Sequence, residues 1–184
     1  MTMTDARHFK KIETLKNGIE ATFRAVRPDD RQKIIDAFRN LERESIFMRF
    51  FGYKNYLSEA DLKAAVEIDF VRVVTLVVTI IAENQEIIIG SGRYSLLNGK
   101  SEEETKAEVS FTVEEDYHGQ GIASRLLQYL AQIARENGVR KFLAEVLSEN
   151  KAMLAVFEHS GFPMHRKKEG DVVHVTLSIE EAAG

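Results

Sequence analysis

Cysteine is absent from the 184 residues, which excludes disulfide staples, thiolate metal centres and a cysteine nucleophile. An excess of either charge is lacking as well: 25 Lys and Arg stand against 29 Asp and Glu, and the formal net charge of -4 creates no global field for nucleic acid or an anionic membrane. The five histidines are scattered rather than clustered, so no metal centre is expected. The most apolar segment, Val73 to Ala82, falls far short of the roughly 20 residues that cross a bilayer. The opening residues, with Asp5, Arg7, His8, Lys10 and Lys11, contain no apolar stretch of the secretory kind, which points to the cytoplasm. Neither an internal repeat nor a low-complexity linker divides the chain. With 44% hydrophobic residues, it reads as a polar N-terminal extension over residues 1–18 and one globular domain over 19–184.

What is present is a sequence of period changes. Ile19 to Val26 reads as a strand, and Arg27-Pro28-Asp29-Asp30 as a helix start capped by Asp29 or Asp30. Ile34, Ile35, Phe38 and Leu41 fall at helical spacing on the segment that follows, which runs to about Arg43. Ser58 three residues before Asp61 is a capping signal for a second helix carrying Leu62, Ala65 and Val66. Val71 to Ala82, Glu86 to Leu97 and Thr105 to Val113 then read as an antiparallel meander turning at Asn84-Gln85 and Asn98-Gly99. Beyond it the period becomes helical: Ile122, Leu126, Leu127, Leu130, Ile133 and Ala134 share one face, and Asn137-Gly138 ends the run. A strand (Arg140 to Leu147), a helix (Asn150 to Ser160) and two strands (Phe162 to Arg166, Val172 to Leu177) close the chain. The class expected is mixed α/β.

The segment between Val113 and the helix carries the chemistry. Gly119 and Gly121 lack Cβ, so neighbouring N–H groups can turn inward together, and the first N–H groups of a helix have no internal partner. Dipole and donors together receive a phosphate or pyrophosphate. A Walker loop would need Lys-Ser or Lys-Thr where Ile122-Ala123 stands, and a dinucleotide fingerprint would need a third Gly. The alternative is a tight strand-to-helix connection with no ligand.

The loop His118-Gly119-Gln120-Gly121-Ile122-Ala123, followed by Asn150-Lys151-Ala152-Met153 through Gly161-Phe162, resembles the cofactor loop and the next motif of the GNAT superfamily of N-acetyltransferases. Arg27-Pro28-Asp29-Asp30, Arg49-Phe50-Phe51-Gly52 and Ile68-Asp69 extend the resemblance to the acetyltransferase domain of Pat-type bacterial protein lysine acetyltransferases, over roughly residues 19 to 178. The resemblance implies a central mixed, mostly antiparallel sheet of about seven strands flanked by about four helices. It also implies acetyl-CoA as donor, no metal, and a primary amine as acceptor, a protein lysine (an acetyl-CoA synthetase being one candidate protein) or a small amine. A catalytically degenerate acyl-CoA-binding module is the reading from another class.

The roles follow residue by residue. Glu108 is the candidate general base, with Glu145 on the next strand as its rival. The resemblance implies that the strand bearing Phe111, Thr112 and Val113 splays from its neighbour and offers backbone groups to the pantetheine arm. His118, Gly119, Gln120, Gly121, Ile122, Ala123 and Ser124 form the phosphate cradle, and Arg125 is placed to add charge there. Asn150 doubles as helix cap and cofactor contact. Phe157 stands where many members have a tyrosine that protonates the departing sulfur, which phenylalanine does not do; Tyr117 and His118 are the substitutes at hand. A thiol, with a reference pKa of about 8.5, also leaves passably as thiolate.

Overall fold

In the computed structural model, which describes residues 5–50, 54–97 and 105–180, the polar N-terminal segment is part of the sheet rather than an extension ahead of it. Lys10–Thr14 form β1, pairing antiparallel with β2 (Glu20–Ala25) from Lys10↔Arg24 to Thr14↔Glu20. An edge strand is held by its backbone ladder while its side chains meet water, so its composition stays polar. Buried Ala6 and Leu15 anchor the two ends of this segment.

Three helices follow: α1 (Arg31–Asn40), α2 (Arg43–Phe50) and α3 (Glu59–Val66). The capping box expected at α3 is present, Ser58 Oγ accepting from the Asp61 N–H (3.1 Å) and Asp61 Oδ2 from the Ser58 N–H (2.9 Å). The cap expected for α1 is not. Residues Pro28–Asp30 form a 3-10 turn, and the Asp30 carboxylate turns inward to accept from the Arg27 N–H (2.7 Å) and from the Arg24 guanidinium (2.7 and 2.8 Å). Arg24 also donates to Glu86 Oε1 (2.8 Å), so one buried cation ties β2 to the start of α1. The Asp30 bond raises the Arg24 pKa against the opposing effect of burial, while at Asp30 burial, which pushes the carboxyl up, is outweighed jointly by the hydrogen bonds from Arg24 and the Arg27 N–H and by the charges of Arg24 and Lys33, so the carboxyl lies below the usual range.

The remaining elements are β3 (Val73–Ala82), β4 (Gln85–Leu96), β5 (Lys106–Val113), α4 (Ile122–Glu136), β6 (Lys141–Leu147), α5 (Lys151–Glu158), β7 (Met164–Glu169) and β8 (Val172–Ser178). They complete an eight-stranded sheet in the order β1-β2-β3-β4-β5-β6-β8-β7, antiparallel everywhere except β5 against β6. Among the described residues, eight strands and five α-helices thus stand where about seven and about four were expected; β1 and α2 are the additions. The expected turn Asn98-Gly99 and the pair Phe51-Gly52 lie outside the described residues.

One face of the sheet is closed by α4, whose Leu126, Leu127 and Leu130 are fully buried; each contributes about 1.5–3 kcal/mol of transfer free energy. Small residues in β4 let α4 sit close: a Cβ on Gly92 would lie 3.0 Å from Leu130 and Phe111, and one on Gly90 3.4 Å from Ile122. By alternation Ser91 and Arg93 face the other way, toward α1, α2 and α3.

Candidate active site

The parallel pair β5 and β6 is joined only at its start, through Lys106↔Lys141, Ala107↔Phe142 and Glu108↔Leu143. Both strands continue, to Val113 and Leu147, without further pairing to each other. Lys106 C=O accepts from the Leu97 N–H and the Glu114 N–H donates to Ile89 C=O (both 2.9 Å), so even-numbered residues of β5 direct their backbone groups toward β4. The N–H and C=O of Val109, Phe111 and Val113 therefore face the opening gap. A cavity of about 410 Å³ occupies it, lined by β5 from Val109 to Val113, by Ala144 and Glu145 of β6, and by Asn150 and Phe157.

At the wide end of the gap lies the glycine loop. Gly119 and Gly121 have φ of +77° and +83°, with nothing within 4 Å of an added Cβ, so backbone conformation rather than crowding requires glycine at both. The first α4 bond runs from the Arg125 N–H to Gly121 C=O (3.0 Å), which leaves the N–H groups of Ile122, Ala123 and Ser124 outside the ladder. His118 braces the loop: its Nε2 lies 2.8 Å from Val113 C=O, a contact in which the ring must donate. That carbonyl is thereby taken, while the Phe111 backbone stays toward the gap.

Asn150 caps α5, its Oδ1 accepting from the Met153 N–H (3.2 Å), and also lines the cavity. Phe157 is buried and packs on Phe111 with ring centroids 6.1 Å apart; it has no proton to give. Tyr117 lines the same cavity, and burial, then Glu114 and Asp116, push its phenol up, so it stays protonated. Glu145 faces His174 Nδ1 at 3.6 Å.

Glu108 sits on the opposite face of β5 with Ser110 and Thr112, at the vertex where the strands part. It is exposed rather than set in an apolar cleft, and it is the last paired residue before the gap. Its charged neighbour is Arg49 of α2, whose guanidinium is lowered by burial and by Arg93, with Glu108 acting in the opposite direction. Glu114, at the end of β5, is pushed up by burial and by the adjacent Asp116 and Glu115.

Two placements differ from the sequence reading. Arg125 turns away from the cradle to pair with Glu13 of β1 (2.7 Å), which Tyr129 also contacts. The cation lining the donor cavity beside the glycines is Lys16, on the turn between β1 and β2, and that turn is latched to the loop by the Asn17 N–H donating to Gln120 Oε1 (2.9 Å). A Lys-Asn-Gly turn is visible in the sequence; its position over the loop is not.

The sequence profile of the Acetyltransferase (GNAT) family matches residues 35–162. The chain belongs to this family. Among relatives of this GNAT chain, an acetyltransferase of Pseudomonas aeruginosa is 27% identical over 142 residues, covering 77% of this chain and 74% of that protein. Acetyltransferase Pat of Mycolicibacterium smegmatis is 30% identical over 150 residues, 82% of this chain and 43% of Pat, so the GNAT chain spans less than half of that relative's length. The crystal structure of the GNAT domain of S. lividans PAT superimposes with a TM-score of 0.82 at 31% identity, covering 92% of this chain and 96% of that domain. A putative acetyltransferase from Salmonella typhimurium, solved with its cofactor acetyl-CoA, shares the GNAT fold at TM-score 0.68 and 19% identity, covering 89% of this chain and 96% of that one. Among the described residues of the GNAT chain, no helix is long and apolar enough to cross a membrane.

Proposed function

We propose that this GNAT protein transfers the acetyl group of acetyl-CoA to a protein lysine side chain, with Glu108 as general base. The observation that carries the reading is the exposed Glu108 at the vertex of the β5/β6 gap, where a side chain projecting from another protein can reach it while the donor lies along the gap. Similarity to the two Pat proteins supports a protein acceptor.

The residues divide the work. N–H groups of Gly119 to Ser124 hold the pyrophosphate, Lys16 adds a cation, and the Phe111 backbone faces the pantetheine arm. Glu108, directly or through one water, removes a proton from the acceptor ammonium. The amine attacks the thioester carbonyl carbon, the C–N bond forms and the C–S bond breaks. Sulfur leaves with the electron pair as thiolate, and the second proton lost by nitrogen ends on sulfur through solvent. Phe157 takes no part in that transfer.

A second reading, a small amine as acceptor, is favoured by the partly enclosed, mostly apolar cavity of about 270 Å³ under α1, α2 and α3, where the half-buried Arg49 and Arg93 suit an amine that carries its own carboxylate. Incubation with labelled acetyl-CoA, candidate proteins such as an acetyl-CoA synthetase, and a polyamine panel separates the readings. Label on protein lysine supports the first and label on a small amine the second. Binding without transfer to any acceptor would leave an acyl-CoA-binding module and overturn both.

A further inference from the structure

The sheet face opposite α4 carries a polar stripe in which Ser91 stands across from Thr112, Arg93 from Ser110 and Ser95 from Glu108. Arg49 is brought to this stripe by α2, and it lines, together with Arg93, the 270 Å³ cavity whose other walls include Ile34, Phe38, Leu57 and Ile88. That volume lies just under the roughly 300–1,000 Å³ of ordinary ligand pockets, so its occupant is small.

The two guanidinium groups are half-buried, and neither has a carboxylate within 4.0 Å among the described residues. Arg93 Nη1 donates to Ala64 C=O at 3.3 Å, and Arg49 lies over the Phe50 ring, 5.0 Å from its centroid. Of the other ionisable residues lining the cavity, Lys54 and Asp61 pair with each other at 3.0 Å. Glu114 forms no ion pair with either arginine, and burial holds its carboxyl toward the neutral form. Two partly desolvated like charges in one apolar chamber are mutually unfavourable, Glu108 offsets less at Arg49 than Arg93 adds, and a planar carboxylate matches guanidinium donors two bonds at a time. The same charges repel an ammonium.

We propose that this cavity binds a small apolar carboxylic acid, the carboxylate between Arg49 and Arg93 and the hydrocarbon against Ile34, Phe38, Leu57 and Ile88. Arg49, Ser110 and Thr112 line both this cavity and the donor cavity, so the bound acid abuts the transfer centre. The inference stands apart from the choice of acceptor and from the role of Glu108.

The test is calorimetric titration of the full chain with hexanoate, in parallel with hexanol and hexylamine. Hexanoate binds, hexanol binds more weakly by about tenfold or more, and hexylamine does not bind. R93Q and R49Q each weaken hexanoate by about tenfold or more while melting at the wild-type temperature; if either unfolds, the other variant and the salt dependence of wild-type binding carry the result. L-norleucine, the same chain with an α-ammonium, identifies the source: binding followed by acetylation makes the acid the acceptor's own, and hexanoate binding alone makes it a separate effector. Both outcomes keep the carboxylate site. No hexanoate binding at millimolar concentration, equal binding of hexanol, or unchanged affinity in both arginine variants overturns it.

Discussion

Replacing Arg24 with Met removes the cation that joins β2, the start of α1 and β4. Asp30, fully buried, then keeps only the Arg27 N–H at 2.7 Å, while Glu86 is partly exposed and retains Lys33 at 3.8 Å. The loss is therefore set by one stranded carboxylate, and breaking a buried pair on one side costs about 3–5 kcal/mol. Total stability for a single domain is roughly 5–15 kcal/mol. At about 2–4 °C per kcal/mol for a chain of this size, Arg24→Met should melt about 6–20 °C below wild type. Urea unfolding with an unchanged m-value is the assay. The double variant Arg24→Met/Asp30→Leu, with no charge left behind, should recover most of the loss. A cost under about 1 kcal/mol, or a double variant no better than the single one, would refute the reasoning.

Lys16→Ala should raise KM for acetyl-CoA by about three- to tenfold with kcat unchanged, because the removed charge meets donor phosphate equally in ground and transition states. Initial rates at varied acetyl-CoA check it, and an unchanged KM removes the β1–β2 turn from the donor site. Asp30 also predicts a pH dependence. Its folded pKa lies below the ordinary 3.8, so its stabilisation is complete above that value and is lost as pH falls from there toward the folded value. Acid unfolding should be shallower through this window for Asp30→Asn, which starts less stable at neutral pH; parallel curves would contradict the assignment.

Local signals in the chain translated well into structure, and long-range ones did not. The capping box of α3 depends on Ser58 and Asp61 alone, and the Gly121 start of α4 on a single backbone conformation, so both are visible residue by residue. Strand β1 escaped because an edge strand wetted on both faces has no apolar alternation to read. Helix α2 escaped because only Ile46 of its eight residues is buried, too little for an apolar stripe. In the site, loop order was readable, but the side-chain partners were set by distant segments. Arg125 is claimed by Glu13, His118 by Val113 C=O, and the gap-facing backbone of Phe111 follows from where β5 stops pairing with β6.

If Glu108 takes the acceptor's proton, Glu108→Gln removes the base and leaves the donor site untouched. The side chain is exposed and lines neither cavity, so folding and acetyl-CoA affinity should stay at wild-type values. Single-turnover acetyl transfer at saturating acetyl-CoA should fall by about 10²- to 10⁴-fold. A transfer rate within about threefold of wild type, with acetyl-CoA still bound, would contradict the account and move the base elsewhere, with Glu145 and Glu114 the carboxylates next in line.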